Sequence, residues 1–171
     1  MRAKHLFDKR VAVLLMIAAV AVGVSSCTAP PPSSPAAAPA PAQSTGPANS
    51  QLSAIVQAMN ADRAAAGLGP LAWNDQLGGS GAIWAGSIAN GGSLVHQDLG
   101  AILSQPAYMA YRTLGENLLM GPTGMSTAAM ESAWMNSPGH RANILQGAFT
   151  MAGVGITVSG GRVWVAVEFG G

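Results

Sequence analysis

The chain has 171 residues, 49 % hydrophobic and only 9 % charged, with one cysteine and a net charge of +1 when histidines are neutral. A single cysteine excludes a disulfide within the chain. Eight basic residues against seven acids leave no basic stripe to hold a phosphate backbone, so no nucleic-acid partner is expected.

Arg2, Lys4, Lys9 and Arg10 give a positive start, and Val11 to Val24 is almost uninterrupted apolar sequence. That run of about 14 residues falls short of the roughly 20 a membrane-spanning helix needs, and it fits the core of a signal peptide. It stops at Val24-Ser25-Ser26-Cys27, which resembles a bacterial lipobox: an aliphatic residue, two small ones, then the cysteine that takes the lipid. An ordinary secretory signal with a chance cysteine is the alternative. Lipidation accounts for an unpaired cysteine in an exported chain. Residues 1–26 are therefore read as a lipoprotein signal peptide and Cys27 as the lipidation site. The protein is expected outside the cytoplasm, held to the cell membrane by that lipid, or secreted if it is not lipidated. Without residues 1–26, four arginines stand against six acids, a charge of −2.

Residues 27–50 form the lipid-bearing cysteine and a Pro/Ala-rich segment without aromatic or charged side chains. Such a segment cannot bury enough apolar surface to offset its ordering entropy, and its prolines favour extended stretches. It is expected to be a disordered spacer between membrane and domain.

Residues 51–171 have the length of one domain. Leu52, Ile55, Val56 and Met59 follow helical spacing after a cap at Asn49 or Ser50, and Gly67 ends that helix. Asn74 opens a second helix with Leu77, Gly81, Trp84 and Ile88 on one stripe. Its glycines 78, 79, 81 and 86 weaken it by nearly ~1 kcal/mol each relative to alanine and suggest close packing. His96 to Arg112 reads as a long irregular connection, and Thr113–Leu119 as a short extended piece. A third helix is predicted over Ser126–Met135, with Met130, Ala133 and Trp134 inward.

NSPGHRANIL, Asn136 to Leu145, follows directly. Ser137 can accept a hydrogen bond from a first-turn N–H, and Pro138 loses nothing at the first helical position. Gly139 leaves the imidazole of His140 approachable near the helix start. Gly153–Val158, Ser159-Gly160-Gly161 and Arg162–Phe169 make a β-hairpin. Val163, Val165, Val167 and Phe169 lie on one face of its second strand, and Trp164, Ala166 and Glu168 on the other. Helices first and a hairpin last argue for an α+β sandwich.

These segments resemble the CAP superfamily, the group of cysteine-rich secretory, antigen-five and pathogenesis-related proteins, in a bacterial form. The likeness runs over residues 51–171: ADRAAAGLGPLAWNDQL, LVHQDL, GENLL, SAWMNSPGHRANIL, AGVGI and VWVAVEF. It implies an α-β-α sandwich of CAP/SCP type with a cleft lined by two histidines and two acids, in some members holding a divalent metal. His96, Glu116 and His140 match three of those four. The second acid lies three residues after the tryptophan that Trp134 resembles, and Ser137 stands there. Glu131, three residues before Trp134, is not counted as its replacement.

Two neutral imidazoles and a carboxylate are a reasonable ligand set for zinc or a similar ion, with a position open for water. The same groups suit general acid–base work. Spacings of 20 and 24 residues are no metal signature in themselves, and a structural hydrogen-bond network is a third reading. Asn117 is expected to tie backbone rather than touch a ligand. The chain shows no glycine-flanked serine nucleophile, catalytic cysteine or phosphate loop. Two functions stay open: a binding module for a lipid, peptide or envelope polymer, and a metal-dependent, peptidase-like hydrolase of envelope or peptide material. The missing fourth acid favours binding, and a purely adhesive envelope component is weaker still.

Overall fold

The computed structural model describes residues 50–171. The signal peptide, Cys27 and nearly all of the proline-rich spacer lie outside those residues. The elements are α1 (Ser50–Ala65), β1 (Ala72–Trp73), α2 (Asp75–Gly91), α3 (Leu99–Leu103), a 3-10 turn (Pro106–Tyr108), β2 (Leu114–Pro122), α4 (Thr127–Met135), α5 (Pro138–Ile144), β3 (Met151–Ser159) and β4 (Arg162–Gly170). None of the described helices is long and apolar enough to cross a membrane.

The four strands lie in the order β1-β3-β4-β2, with β1 parallel to β3 and the other pairs antiparallel. Strand β4 is central and buried along almost its whole length. Side chains alternate across a strand, so its two faces feed two layers. Val163, Val165, Val167 and Phe169 pack with Ile55 and Met59 of α1, Met130 and Trp134 of α4 and Ile144 of α5. Trp164 and Ala166 pack with Leu118 of β2 and with Ala85 and Ile88 of α2. The result is a sheet between α2 and the α1–α4–α5 layer, the α-β-α sandwich expected from the sequence.

The glycines of α2 divide by position. A Cβ on Gly81 would stand 2.9 Å from the Ala166 carbonyl oxygen and 3.0 Å from the Gly155 nitrogen. On the strand side, a Cβ on Gly153 would strike Gly78 backbone, and one on Gly155 would strike Gly81 and Ala82. Gly81, Gly153 and Gly155 thus let helix and sheet meet backbone to backbone; a Cβ on Gly78 would instead stand 2.7 Å from the Trp73 ring, and Gly79 has nothing within 4 Å of an added Cβ.

Local chemistry sets the ends. The Asn74 side chain accepts from Leu77 N, Ser126 Oγ accepts from Ala129 N, and Gly67 ends the first helical segment at φ 74°. Ser137 occupies the N-cap of α5 but makes no side-chain capping bond, contrary to the sequence expectation. Two further expectations are corrected. Ala133 is exposed, and Glu131 takes an inward place beside Met130 and Trp134. The connection after His96 holds α3, capped by Asp98 accepting from Ala101 N, and the 3-10 turn.

Candidate functional site

The site lies at β2, the edge strand beside β4. Glu116 in β2 pairs directly with Glu168 in β4, so two acids stand side by side on the α2 face of the sheet. Both are 3 % exposed. The segment after α2 brings His96 and Gln97 over them. Trp84 of α2 anchors this segment by donating from Nε1 to the Val95 carbonyl at 2.9 Å.

His96 Nδ1 lies 2.6 Å from Glu116 Oε1. The backbone N–H of Gln97 donates to the same oxygen at 3.2 Å, and its amide Nε2 donates to Glu116 Oε2 at 3.0 Å and to Glu168 Oε1 at 2.6 Å. Burial first, and then the neighbouring Glu116 carboxylate, pushes the Glu168 carboxyl up to about 9, partly opposed by the Gln97 hydrogen bond. At neutral pH Glu168 therefore holds a proton, which it donates to Glu116. The His96 side chain is 60 % exposed, against 1 % for Glu116. A solvent-facing imidazole thus rests on a buried carboxylate.

Asn117, the next residue of β2, turns to the opposite face. Its Nδ2 donates to the His140 carbonyl at 3.0 Å, and its Oδ1 accepts from Asn143 Nδ2 at 2.9 Å. Asn143 also donates to the Glu116 carbonyl at 3.0 Å. These bonds fasten α5, and with it His140, to the edge strand. Burial lowers the His140 pKa, and the nearby His96 lowers it further, so this ring stays neutral at physiological pH. His96 and Glu116 are in direct contact, and His140 lies near enough to His96 for the two rings to influence each other.

The three do not make a metal-ligand set. Among the described residues no group of three or more His, Cys, Asp or Glu side chains could hold a metal ion. Glu116 shows why. A carboxylate offers about four lone-pair positions, and His96, the Gln97 backbone, the Gln97 amide and Glu168 already take them. The residues present therefore do not fit the resident zinc or other divalent ion that the family likeness implied.

Glu131 is placed elsewhere. It is 7 % exposed, and neither carboxyl oxygen has a donor. Burial and then Asp62 of α1 push it up to about 8, so at neutral pH it is held largely protonated. A hollow of about 480 Å³ between the end of α4 and α5, lined by Met135, Asn136, Pro138, Arg141, Ala142 and Leu145, contains none of the acids or imidazoles above.

Gln97 and Glu168 are site residues that the sequence did not single out. Gln97 adjoins His96, and Glu168 lies, as the alternation along β4 predicts, on the face opposite the valines. Only the β2–β4 register shows that Glu168 meets Glu116.

The model of the cysteine-rich secretory protein family, CAP, matches residues 56–169. The chain is 32 % identical over 145 residues to the YkwD protein of Bacillus subtilis, covering 74 % of this chain and 52 % of that one. It thus spans about half the length of this curated relative. An extracellular protein of Bacillus anthracis containing an SCP domain superposes with a TM-score of 0.59 at 25 % identity, over 71 % of this chain and 40 % of that one. An outer surface protein of Borrelia burgdorferi superposes with a TM-score of 0.57 at 18 % identity, over 68 % and 88 %, a likeness of fold.

Proposed function

The chain belongs to the cysteine-rich secretory protein family, and on that footing we propose that it is an extracytoplasmic binding module, anchored to the membrane through a lipid on Cys27. Residues 27–50 would act as the spacer and residues 51–171 as the ligand-binding domain. The extracellular Bacillus anthracis relative and the leader sequence support the location. The groups at the edge of β2 are imidazole, amide and carboxyl, so a polar peptide or cell-envelope polymer suits them better than a lipid chain.

One observation carries this reading: His96 is exposed, while its Nδ1 is held 2.6 Å from a buried carboxylate. Orienting an imidazole in this way costs a buried charge, and the ring edge it presents is the edge a ligand can reach. The direct test is an affinity measurement with soluble cell-wall fragments. Binding to the wild type that weakens at least tenfold in His96→Ala supports the reading, and equal binding by both contradicts it.

A hydrolase is the second reading, because a carboxylate-backed imidazole is also the form of a general base. Turnover of peptide or cell-wall substrate that disappears in His96→Ala would support it, whereas binding without turnover leaves the module.

A further inference from the structure

We propose that Gln97 sets what His96 offers a ligand: by holding Glu116 as a pure acceptor it fixes the ring proton on Nδ1 and leaves Nε2 bare, so the cleft selects groups that donate a hydrogen bond. The inference rests on the cleft being a binding site and names the chemical class it takes.

The donors decide which ring nitrogen carries the proton. The Gln97 amide has two hydrogens, and both are spent, one on Glu116 Oε2 at 3.0 Å and one on Glu168 Oε1 at 2.6 Å. Its backbone N–H goes to Glu116 Oε1 at 3.2 Å. Both Glu116 oxygens are thus bound by N–H groups, which an ionised carboxylate accepts. His96 Nδ1, 2.6 Å from Oε1, must then be the donor of that bond.

A neutral imidazole carries one proton. With it on Nδ1, Nε2 on the far edge of the ring is a lone pair. The edge turned from the buried carboxylate belongs to a side chain that is 60 % exposed. The ring therefore meets a hydroxyl, an ammonium or an amide N–H with an acceptor, and meets a carboxylate or phosphate oxygen with repulsion. Sugar hydroxyls and amino groups of an envelope polymer, or the N–H groups of a peptide, are of the favoured class.

Gln97 does this without touching the ligand, so it is a positioning residue. Its amide ties the segment carrying His96 to two strands at once, Glu116 in β2 and Glu168 in β4. A leucine there keeps the bulk and removes the amide donors.

The test is the ring tautomer, read by long-range ¹⁵N–¹H correlation on the mature chain from Thr28 onward, at a pH where the rings are neutral. Wild type is expected to show His96 in a single Nδ1–H form. Gln97→Leu is expected to show both tautomers while the His140 signals stay in place. A wild-type ring protonated on Nε2 overturns the inference whatever the variant does, as does a Gln97→Leu ring identical to wild type in a folded chain. Glucosamine, which donates from hydroxyl and ammonium groups, should shift His96 Nε2. Acetate, which only accepts, should not; a response to acetate and none to glucosamine contradicts the ligand class. The tautomer result stands apart from the affinity test with cell-wall fragments, so either can fail without the other.

Discussion

Glu116 and Glu168 stand opposite each other in the β2–β4 ladder, and at neutral pH the proton between them stays on Glu168. The pair keeps one negative charge, rather than two, beneath His96. Two adjacent buried carboxylates would repel, and the shared proton removes that repulsion.

Stability should fall as pH rises. Glu131 and Glu168 ordinarily titrate at 4.5, and in the fold they are raised to about 8 and about 9. The folded state therefore keeps protons that the unfolded chain has lost between pH 4.5 and those values, and folding weakens across that window. His140 acts in the opposite sense: its lowered pKa makes acid below its ordinary 6.5 destabilising. The melting temperature should be higher at about pH 6 than at about pH 9. Glu131→Gln, which keeps the size of the side chain and cannot ionise, should flatten the alkaline decline by on the order of a few kcal/mol. A decline of unchanged steepness in that variant would contradict the proton that burial keeps on Glu131.

Arg63 should be among the most sensitive positions of the domain. It is 2 % exposed, and its guanidinium donates to the carbonyls of Gly69 (2.8 Å), Ile144 (2.8 Å), Gln146 (2.9 Å) and Phe149 (2.9 Å). It ties α1 to the segment between α5 and β3. Lysine cannot reproduce this planar fork. Arg63→Lys should cost about 2 kcal/mol or more in denaturant unfolding, since hydrogen bonds from a charged donor contribute about 1.5–3 kcal/mol each. A cost under about 0.5 kcal/mol would show that these carbonyls find other partners.

Two glycine-to-alanine changes should have opposite signs. Gly155→Ala drives a methyl into the backbone of Gly81 and Ala82, and the helix–sheet contact must open. A loss on the order of 1–3 kcal/mol is expected from such overpacking. Gly79→Ala meets nothing within 4 Å in a helix interior and should stabilise by roughly 0.5–1 kcal/mol. Equal effects in thermal unfolding would contradict the close approach of α2 to β3.

The sequence carried the fold further than it carried the site. Alternation along β4 and helical spacing in α1 and α2 mark which side chains turn inward, because periodicity reports burial directly. Short range is where it failed: β1 has two residues, too few for any period, and Ala133, expected inward beside Met130 and Trp134, is exposed. His96, Glu116 and His140 were legible through the family likeness, and the structure puts the first two in contact. Glu168, Gln97 and Arg63 were not. Gln97 and Glu168 act through partners 19 or more residues away in sequence, and three of the four carbonyls that Arg63 holds lie 81 or more residues away, so only strand register and helix docking create those pairings.

Membrane attachment is tested at Cys27. Cys27→Ala should move the protein from the detergent phase to the aqueous phase, or halt processing of the leader. Residues 51–171 alone should melt at the same midpoint as the chain from Thr28. Unchanged detergent partitioning in Cys27→Ala contradicts the lipid anchor, and a markedly lower midpoint shows that the spacer packs on the domain.

The edge of β2 is proposed as a ligand site whose working face is the His96 imidazole, backed by Glu116, with His140 close by. The most direct measurement follows the ring ¹⁵N signals of His96 and His140 while soluble cell-wall fragments are titrated into the mature chain. A saturable shift of His96, accompanied by His140, is predicted; Glu116→Gln should weaken it and His96→Ala abolish it. Fragments that bind with the same affinity while both rings stay unperturbed, in the wild type and in Glu116→Gln alike, would contradict the claim.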